Sequence, residues 1–348
     1  MKMKKILALV VLQISVNTAN TCTTFFLQQN GQMVFGRNYD WVADAGMVCT
    51  NQWGLVKTSI KNPDGNTISW VSLYGSITFN QYGKEFPTGG MNEKGLVVEL
   101  MWLDGTAYPQ PDERPSVDVL QWIQYQLDNH STIEEIIASD KTIRITSKGT
   151  PLHYLVADAN GHAASIEFLD GKMNVHKGDD LPMPVLTNDT YTRSIASHSN
   201  RTSRENNSLE RFSTVCNMIQ QYKSEAPGRS LVDESFAILD KVAQGDYTKW
   251  SIVYDISNKK IYFKTADNKN IKSFSFAQFD LSCKQPSKMF NMNQEAKGDI
   301  SKNFILSDRK IKQKILHQAV TESSQHVSIS KKEEEELLSF EDGVSCKQ

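Results

Sequence analysis

Little in the sequence suits a charged polymer, a membrane interior or a metal. Lys and Arg total 38 against 40 for Asp and Glu, a formal net charge of −2, so the basic excess of a nucleic-acid surface is missing. No C-x-x-C pair and no Cys/His cluster has ligand spacing, so no metal is expected. The five cysteines, Cys22, Cys49, Cys216, Cys283 and Cys346, are too scattered to resemble a disulfide framework. Cys49, Cys216 and Cys283 are therefore expected as buried free thiols. The longest apolar run, Ile6–Val16, is interrupted by Gln13 and too short to span a bilayer. No internal repeat is evident.

What the N-terminus does contain is the order of a secretory signal. Positive charge at Met1–Lys5 is followed by the apolar run and then by small polar residues at Asn17–Thr21. Ala19 and Thr21 stand at −3 and −1 to Cys22. The expectation is a signal peptide over residues 1–21, cleavage before Cys22, and a secreted or periplasmic protein with no integral membrane segment left after cleavage. A competing reading, a lipid-anchored binding protein with a lipidated Cys22, would want Leu near position 19 and Gly or Ala at 21. The sequence has neither arrangement.

Cleavage there would leave a cysteine with a free α-amine. A thiol of pKa about 8.5 is mostly protonated near neutral pH and needs a base or a cationic neighbour. An α-amine titrating at about 7.7–8.0 can accept and return the proton locally. Thr23–Leu27 and Met33–Asn38 are β-prone runs joined by Asn30-Gly31, a hairpin signal. That hairpin would return Arg37 and Asp40 to the level of Cys22, Arg37 to stabilise the thiolate and Asp40 to hold the amine.

Further on, Gly89–Gly95 reads as a turn leading into an apolar strand, Leu96–Leu103, interrupted only by Glu99. Ser116 is placed to cap a helix over Val117–Asn129, and Ser131-Thr-Ile-Glu134 has the pattern of a capping box. His153–Asp158, Ala163–Leu169 and Pro184–Asn188 read as strands. Polar Tyr191–Asn207 reads as a loop before an amphipathic helix, Ser208–Tyr222, capped by Ser208. Residues from about 300 onward read as a charged, partly helical or disordered tail. The order of elements predicts one α+β domain over residues 22–299, with two mainly antiparallel sheets covered by helices.

Cys22-Thr-Thr, Phe35-Gly-Arg-Asn-Tyr-Asp-Trp41, Gly90-Met-Asn-Glu-Lys-Gly-Leu96, Leu186-Thr-Asn188 and Ser208-Leu-Glu-Arg-Phe212 occur in this order. Together they resemble the choloylglycine hydrolase family, which includes bile salt hydrolases and penicillin V acylases. The resemblance spans about residues 22–285. It implies a four-layer αββα sandwich of the N-terminal-nucleophile hydrolases, a homo-oligomer (a tetramer), and cleavage of a linear amide in a small N-acyl substrate without a cofactor. On it, Cys22 is the nucleophile and its amine the base, with Arg37 and Asp40 beside it. Asn188 and the backbone N–H of Trp102 form the oxyanion hole, and Arg211 is the last active-site arginine. Many bile salt hydrolases carry asparagine where this chain has Trp102. With Trp41 and the short Asn188–Arg211 interval, this looks more like the Gram-negative penicillin V acylase branch. Trp41 and Trp102 would then favour an apolar or aromatic acyl group. Whether the acyl group passes to water or to a second amine, as in an acyltransferase, is not written in these residues, and neither is the substrate among penicillin V-like amides, bile salt conjugates and acyl homoserine lactones.

Overall fold

In the computed structural model, residues 22–61, 65–147, 149–202, 206–224 and 228–347 are described; the expected signal peptide, 1–21, lies outside them. β1 (Thr23–Gln29) turns at Asn30 and Gly31, both at positive φ (52° and 76°), into β2 (Gln32–Asp40). Two left-handed residues make the tight turn whose twist matches antiparallel strands, and Asn-Gly tolerates it best. β3 (Met47–Asn51), β4 (Leu55–Thr58), β5 (Ser69–Val71) and β6 (Ser76–Asn80) follow. β7 (Pro87–Asn92) takes in most of the glycine-rich stretch expected as a turn; only Asn92–Gly95 turns, before β8 (Val97–Trp102).

β9 (Ser116–Asp118) displaces the expected helix start, so α1 (Val119–Asn129) is capped by Asp118 and not by Ser116. α2 (Ile133–Ser139) has its capping box one residue later than expected, between Thr132 and Glu135. β10 (Arg144–Thr146), β11 (Leu152–Ala157), β12 (Ala163–Leu169), β13 (Lys172–Lys177) and β14 (Val185–Leu186) lead to α3 (Tyr191–Asn200). α3 occupies the region expected as a loop: Thr190 caps it, and only Tyr191, Ser194 and Ser197 are buried, so its inward face carries little apolar signal. α4 (Asn207–Ser224) starts on Asn206, whose side chain accepts from Leu209 N, while Ser208 turns its hydroxyl toward Asn188 and Thr187. α5 (Leu231–Lys241), β15 (Thr248–Asp255), β16 (Lys260–Thr265), β17 (Lys272–Ser275), β18 (Lys288–Asn291), β19 (Gly298–Asp299) and β20 (Ile305–Leu306) complete the sheets.

The seven-stranded sheet runs β14-β1-β2-β15-β16-β17-β19 and the nine-stranded sheet β13-β12-β11-β8-β7-β6-β3-β18-β20, almost wholly antiparallel. β8 shows how they stack. Val97 and Met101 belong to the core between the sheets, whereas Val98 and Leu100 belong to a second core with Trp122, Ile123 and Leu127 of α1. A strand covered on both faces favours apolar residues on each of them, which explains a run that only Glu99 interrupts. With α4 and α5 against β1 and β2 on the far side, the layers are helix, sheet, sheet, helix, as expected.

Residues 300–347 are partly helical, one of the two expected forms, and pack against the rest of the domain. α6 (Arg309–Glu322) buries Ile315, Leu316 and Ala319, α7 (Lys331–Ser339) buries Leu338, and β21 (Ser345–Cys346) pairs with β4. Cys346 is disulfide-bonded to Cys283, correcting the expectation of a free thiol there; Cys49 and Cys216 are buried and free. Among the described residues no helix is long and apolar enough to cross a membrane.

Candidate active site

The β1–β2 hairpin pairs Thr23 with Asn38 and Thr24 with Arg37, so Cys22, just ahead of β1, comes to the end of β2. Its Sγ donates to the Asp40 carbonyl at 3.7 Å. Cys22 is only 4% exposed yet lines a cavity of about 570 Å³, within the range of small-molecule sites. Burial raises its pKa; Arg37 pulls it down most strongly, and Arg211 adds to that pull, while Asp40 pushes it up.

Asp40 is buried. A register shift in β15 between Thr248 and Trp250 brings Thr248 opposite it, and the Thr248 hydroxyl donates to Oδ1 at 2.5 Å. The other oxygen, Oδ2, is buried with no hydrogen-bond partner among the described residues. Burial pushes this carboxyl up to about 7, against the pull of Arg211, Thr248 and Arg37. An acceptor left bare in the same pocket as Cys22 suits a cationic donor.

Arg37 does more than face the thiol. It forms an ion pair with Glu99 of β8, wholly out of solvent, and Tyr254 of β15 donates its hydroxyl to the same carboxylate. Arg37 Nη1 also donates to the Thr88 carbonyl (2.8 Å) and Nη2 to the Leu100 carbonyl (3.1 Å), and the guanidinium lies 4.7 Å from the centroid of the Tyr39 ring. Arg37 thus joins the two sheets while its charge acts on Cys22. A Cβ on Gly89 would collide with the Glu99 carboxylate, so that strand position has room only for glycine. Burial pushes Glu99 up to about 7 despite Arg37 and Tyr254.

Asn188 follows β14, which pairs with β1 through Leu186 and Thr24. Its Nδ2 donates to the Trp102 carbonyl at 2.8 Å, and its Oδ1 accepts from Arg211 Nη2 at 3.0 Å. An amide NH2 has two donors, so one proton remains for a ligand. Arg211, in α4, is 3% exposed. Its Nη1 also donates to the Cys22 carbonyl (2.5 Å) and Thr23 Oγ1 (2.6 Å), and Nε to Asn207 (2.8 Å), which excludes a plain surface ion pair.

Cys22, Asp40, Trp41 and Trp102 line the cavity, and Arg37, Asn188 and Arg211 are not among its lining residues. Trp41 and Trp102 stack with centroids 6.2 Å apart, Trp41 donating to Tyr82 and Trp102 to Asp104. Sequence reasoning missed Glu99, Thr248 and Tyr254. Glu99 alone carried a signal, as the one charge in an apolar run. It also missed the cavity wall made by His326, Val327, Ile329, Leu337 and Phe340. Among the described residues no group of three or more His, Cys, Asp or Glu is arranged to hold a metal.

A family model described as linear amide C–N hydrolases, choloylglycine hydrolase family, matches residues 22–213. Penicillin V acylase of Pectobacterium atrosepticum is 30% identical over 204 residues, 52% of this chain and 53% of that protein, so the alignment spans about half the length of that curated relative. A penicillin V acylase structure from Agrobacterium tumefaciens superposes with a TM-score of 0.72 at 25% identity, over 82% of this chain and 98% of the other. A mutant conjugated bile acid hydrolase from Clostridium perfringens gives 0.66 at 17% identity, covering 80% and 98%, a likeness of fold.

Proposed function

Because the chain belongs to the choloylglycine hydrolase family of linear amide C–N hydrolases, we propose that it is an exported amidohydrolase whose nucleophile is an N-terminal Cys22. Cleavage between Thr21 and Cys22 frees the α-amine, which takes the thiol proton. The thiolate attacks the carbonyl carbon of an N-acyl amide, and the Asn188 amide and the Trp102 N–H hold the oxyanion. The C–N bond then breaks, the amine leaves with the proton from the Cys22 ammonium, and an acyl thioester remains. Water, deprotonated by the same amine, attacks the thioester; the C–S bond breaks, the carboxylic acid departs and the thiol is restored. Asp40 Oδ2 accepts from the ammonium and keeps it in place.

The observation that carries this reading is that one guanidinium, Arg211, binds both the Cys22 carbonyl and Asn188 Oδ1. It ties nucleophile and amide donor into one rigid unit, as preorganised stabilisation of developing charge demands. Burial of Cys22 also argues against a lipid anchor on its sulfur. The apolar cavity beside Trp41 and Trp102 favours an apolar acyl group, as in a penicillin V-like amide, over a strongly polar one.

The test incubates mature protein, beginning at Cys22, with a panel of N-acyl amides and follows acid, amine and intact protein mass. Free acid and amine, with a trapped mass increment on Cys22, are the expected products. Cys22→Ser should lose turnover by a factor on the order of 10³ or more; equal rates for the variant and wild type on every substrate would sink the mechanism.

A further inference from the structure

We infer that residues 323–340 form a strap that sets acyl-chain selectivity, favouring amides with an extended apolar acyl group; this rests on the hydrolase reading above. One side of the cavity is built by the nucleophile hairpin and β8, through Cys22, Trp41, Leu100 and Trp102. The facing side comes from far along the chain: His326, Val327 and Ile329 from the segment after α6, then Leu337 and Phe340 from α7 and the turn that follows. The His326 ring lies 5.5 Å from Trp41 and the Phe340 ring 5.3 Å from Phe86. Trp41 directly follows Asp40 and stacks on Trp102, so an aromatic surface is continuous from the reacting end of the cavity to the strap.

The strap is held at both ends. Upstream, Ile315, Leu316 and Ala319 of α6 are sunk in the core, and Glu322 accepts from Asp44 N at 3.2 Å. Downstream, Ser345 and Cys346 pair with Val56 and Leu55, and Cys346 is bonded to Cys283. Between these anchors Val327, Ile329 and Leu337 are only half-buried although apolar, with part of their surface turned to the cavity. On α7 and its continuation, Glu333, Glu336, Leu337 and Phe340 all reach the cavity. That i, i+3, i+4, i+7 spacing is one helical face, which grades from carboxylates to apolar groups along its length.

A wall fixed at both ends suits the part of the substrate that stays. The acyl group stays in the site for both steps, bonded to Sγ from the first until water cuts the thioester in the second, whereas the amine departs after the first and needs a way out. Each methylene laid against such a wall removes apolar surface from water, which corresponds to about a fourfold gain in binding.

The experiment measures kcat/KM for amides of one amine with acyl groups from acetyl to dodecanoyl, for wild type and for Val327→Trp and Ile329→Trp, which fill the cavity from the strap. A ratio of two substrates on one preparation does not depend on the fraction folded. The dodecanoyl-to-acetyl ratio should fall at least about tenfold in both variants. An unchanged ratio, or a change seen only when the amine is varied, would overturn the inference. A second readout, dodecanoate binding followed by tryptophan fluorescence, separates it from the hydrolase reading. If wild type cleaves no amide, the hydrolase reading fails; dodecanoate binding that the tryptophan variants lose still supports the strap, and equal binding by all three proteins overturns it.

Discussion

Arg211 donates from Nη2 to Asn188 Oδ1 at 3.0 Å, and that bond fixes which way the Asn188 amide faces. With Oδ1 taken, Nδ2 is directed to the Trp102 carbonyl, and its second proton is left for a ligand. Asn188→Ala should lower kcat by about 10²–10³-fold while KM changes little, the pattern of a group that acts mainly in the transition state. Arg211→Lys keeps the charge and loses the fork that reaches Cys22, Thr23 and Asn188 together. Its kcat should fall comparably although Asn188 is intact. Steady-state kinetics on the best-cleaved amide checks both, and a change in KM alone would assign Asn188 to ground-state binding.

The Arg37–Glu99 pair, closed off between the sheets, predicts a stability effect distinct from catalysis. At pH 8, above the value of about 7 to which burial raises Glu99, the carboxylate is ionised. Glu99→Gln there leaves the Arg37 charge buried without its counter-charge, at a cost of about 3–5 kcal/mol. The double variant Arg37→Met with Glu99→Leu should recover most of that loss. Urea unfolding of the three proteins measures it; additive losses in the double variant would show that the ion pair is not the source.

Asp40 carries a pH signature with a definite sign. Its carboxyl holds a proton up to about 7 in the folded chain against an ordinary value of 3.8. The folded state therefore binds more protons between those values. The stabilisation from this group is complete below about 3.8 and is lost as pH rises through about 7. Urea midpoints for Asp40→Asn should lack this part of the slope. An ammonium on Cys22 adds a cation to the pocket, so in protein beginning at Cys22 the loss should occur at lower pH than in the uncleaved chain. Thr248→Val removes the hydroxyl that favours the ionised form, so the acidic limb of kcat/KM should move to higher pH. A limb that stays in place would mean that Asp40 does not control it.

The hairpin, β8 and α4 were legible because their signals are local: Asn30-Gly31 for the turn, an apolar run broken only by Glu99 for β8, helical spacing for α4; the four-layer stacking and the roles of Asn188, Trp102 and Arg211 came only with the family resemblance. What was illegible depends on partners distant in sequence. Glu99 reads as an interruption until Arg37 of the other sheet meets it. Ser208 reads as a cap until Asn188 and Thr187 claim its hydroxyl. The Cys283–Cys346 bond closes 63 residues and leaves no pattern in either neighbourhood. Lys and Glu dominate residues 309–340 and obscure a narrow apolar stripe, Ile315, Leu316, Ala319 and Val320, that docks α6. Ser330 with Glu333 is a capping box that would have marked α7.

The strap also bears on the order of events as the protein is made. The hairpin with Cys22 is among the first structures a ribosome would release, and the residues that face it across the cavity are among the last. Contacts so far apart in sequence must wait for the intervening chain, and their loop-closure entropy is met before they give anything back. A partly synthesised chain thus holds Cys22 before it has the residues that face it across the cavity. If the strap selects the acyl group, that selection is acquired late, when β21 reaches β4 and the strap is drawn across.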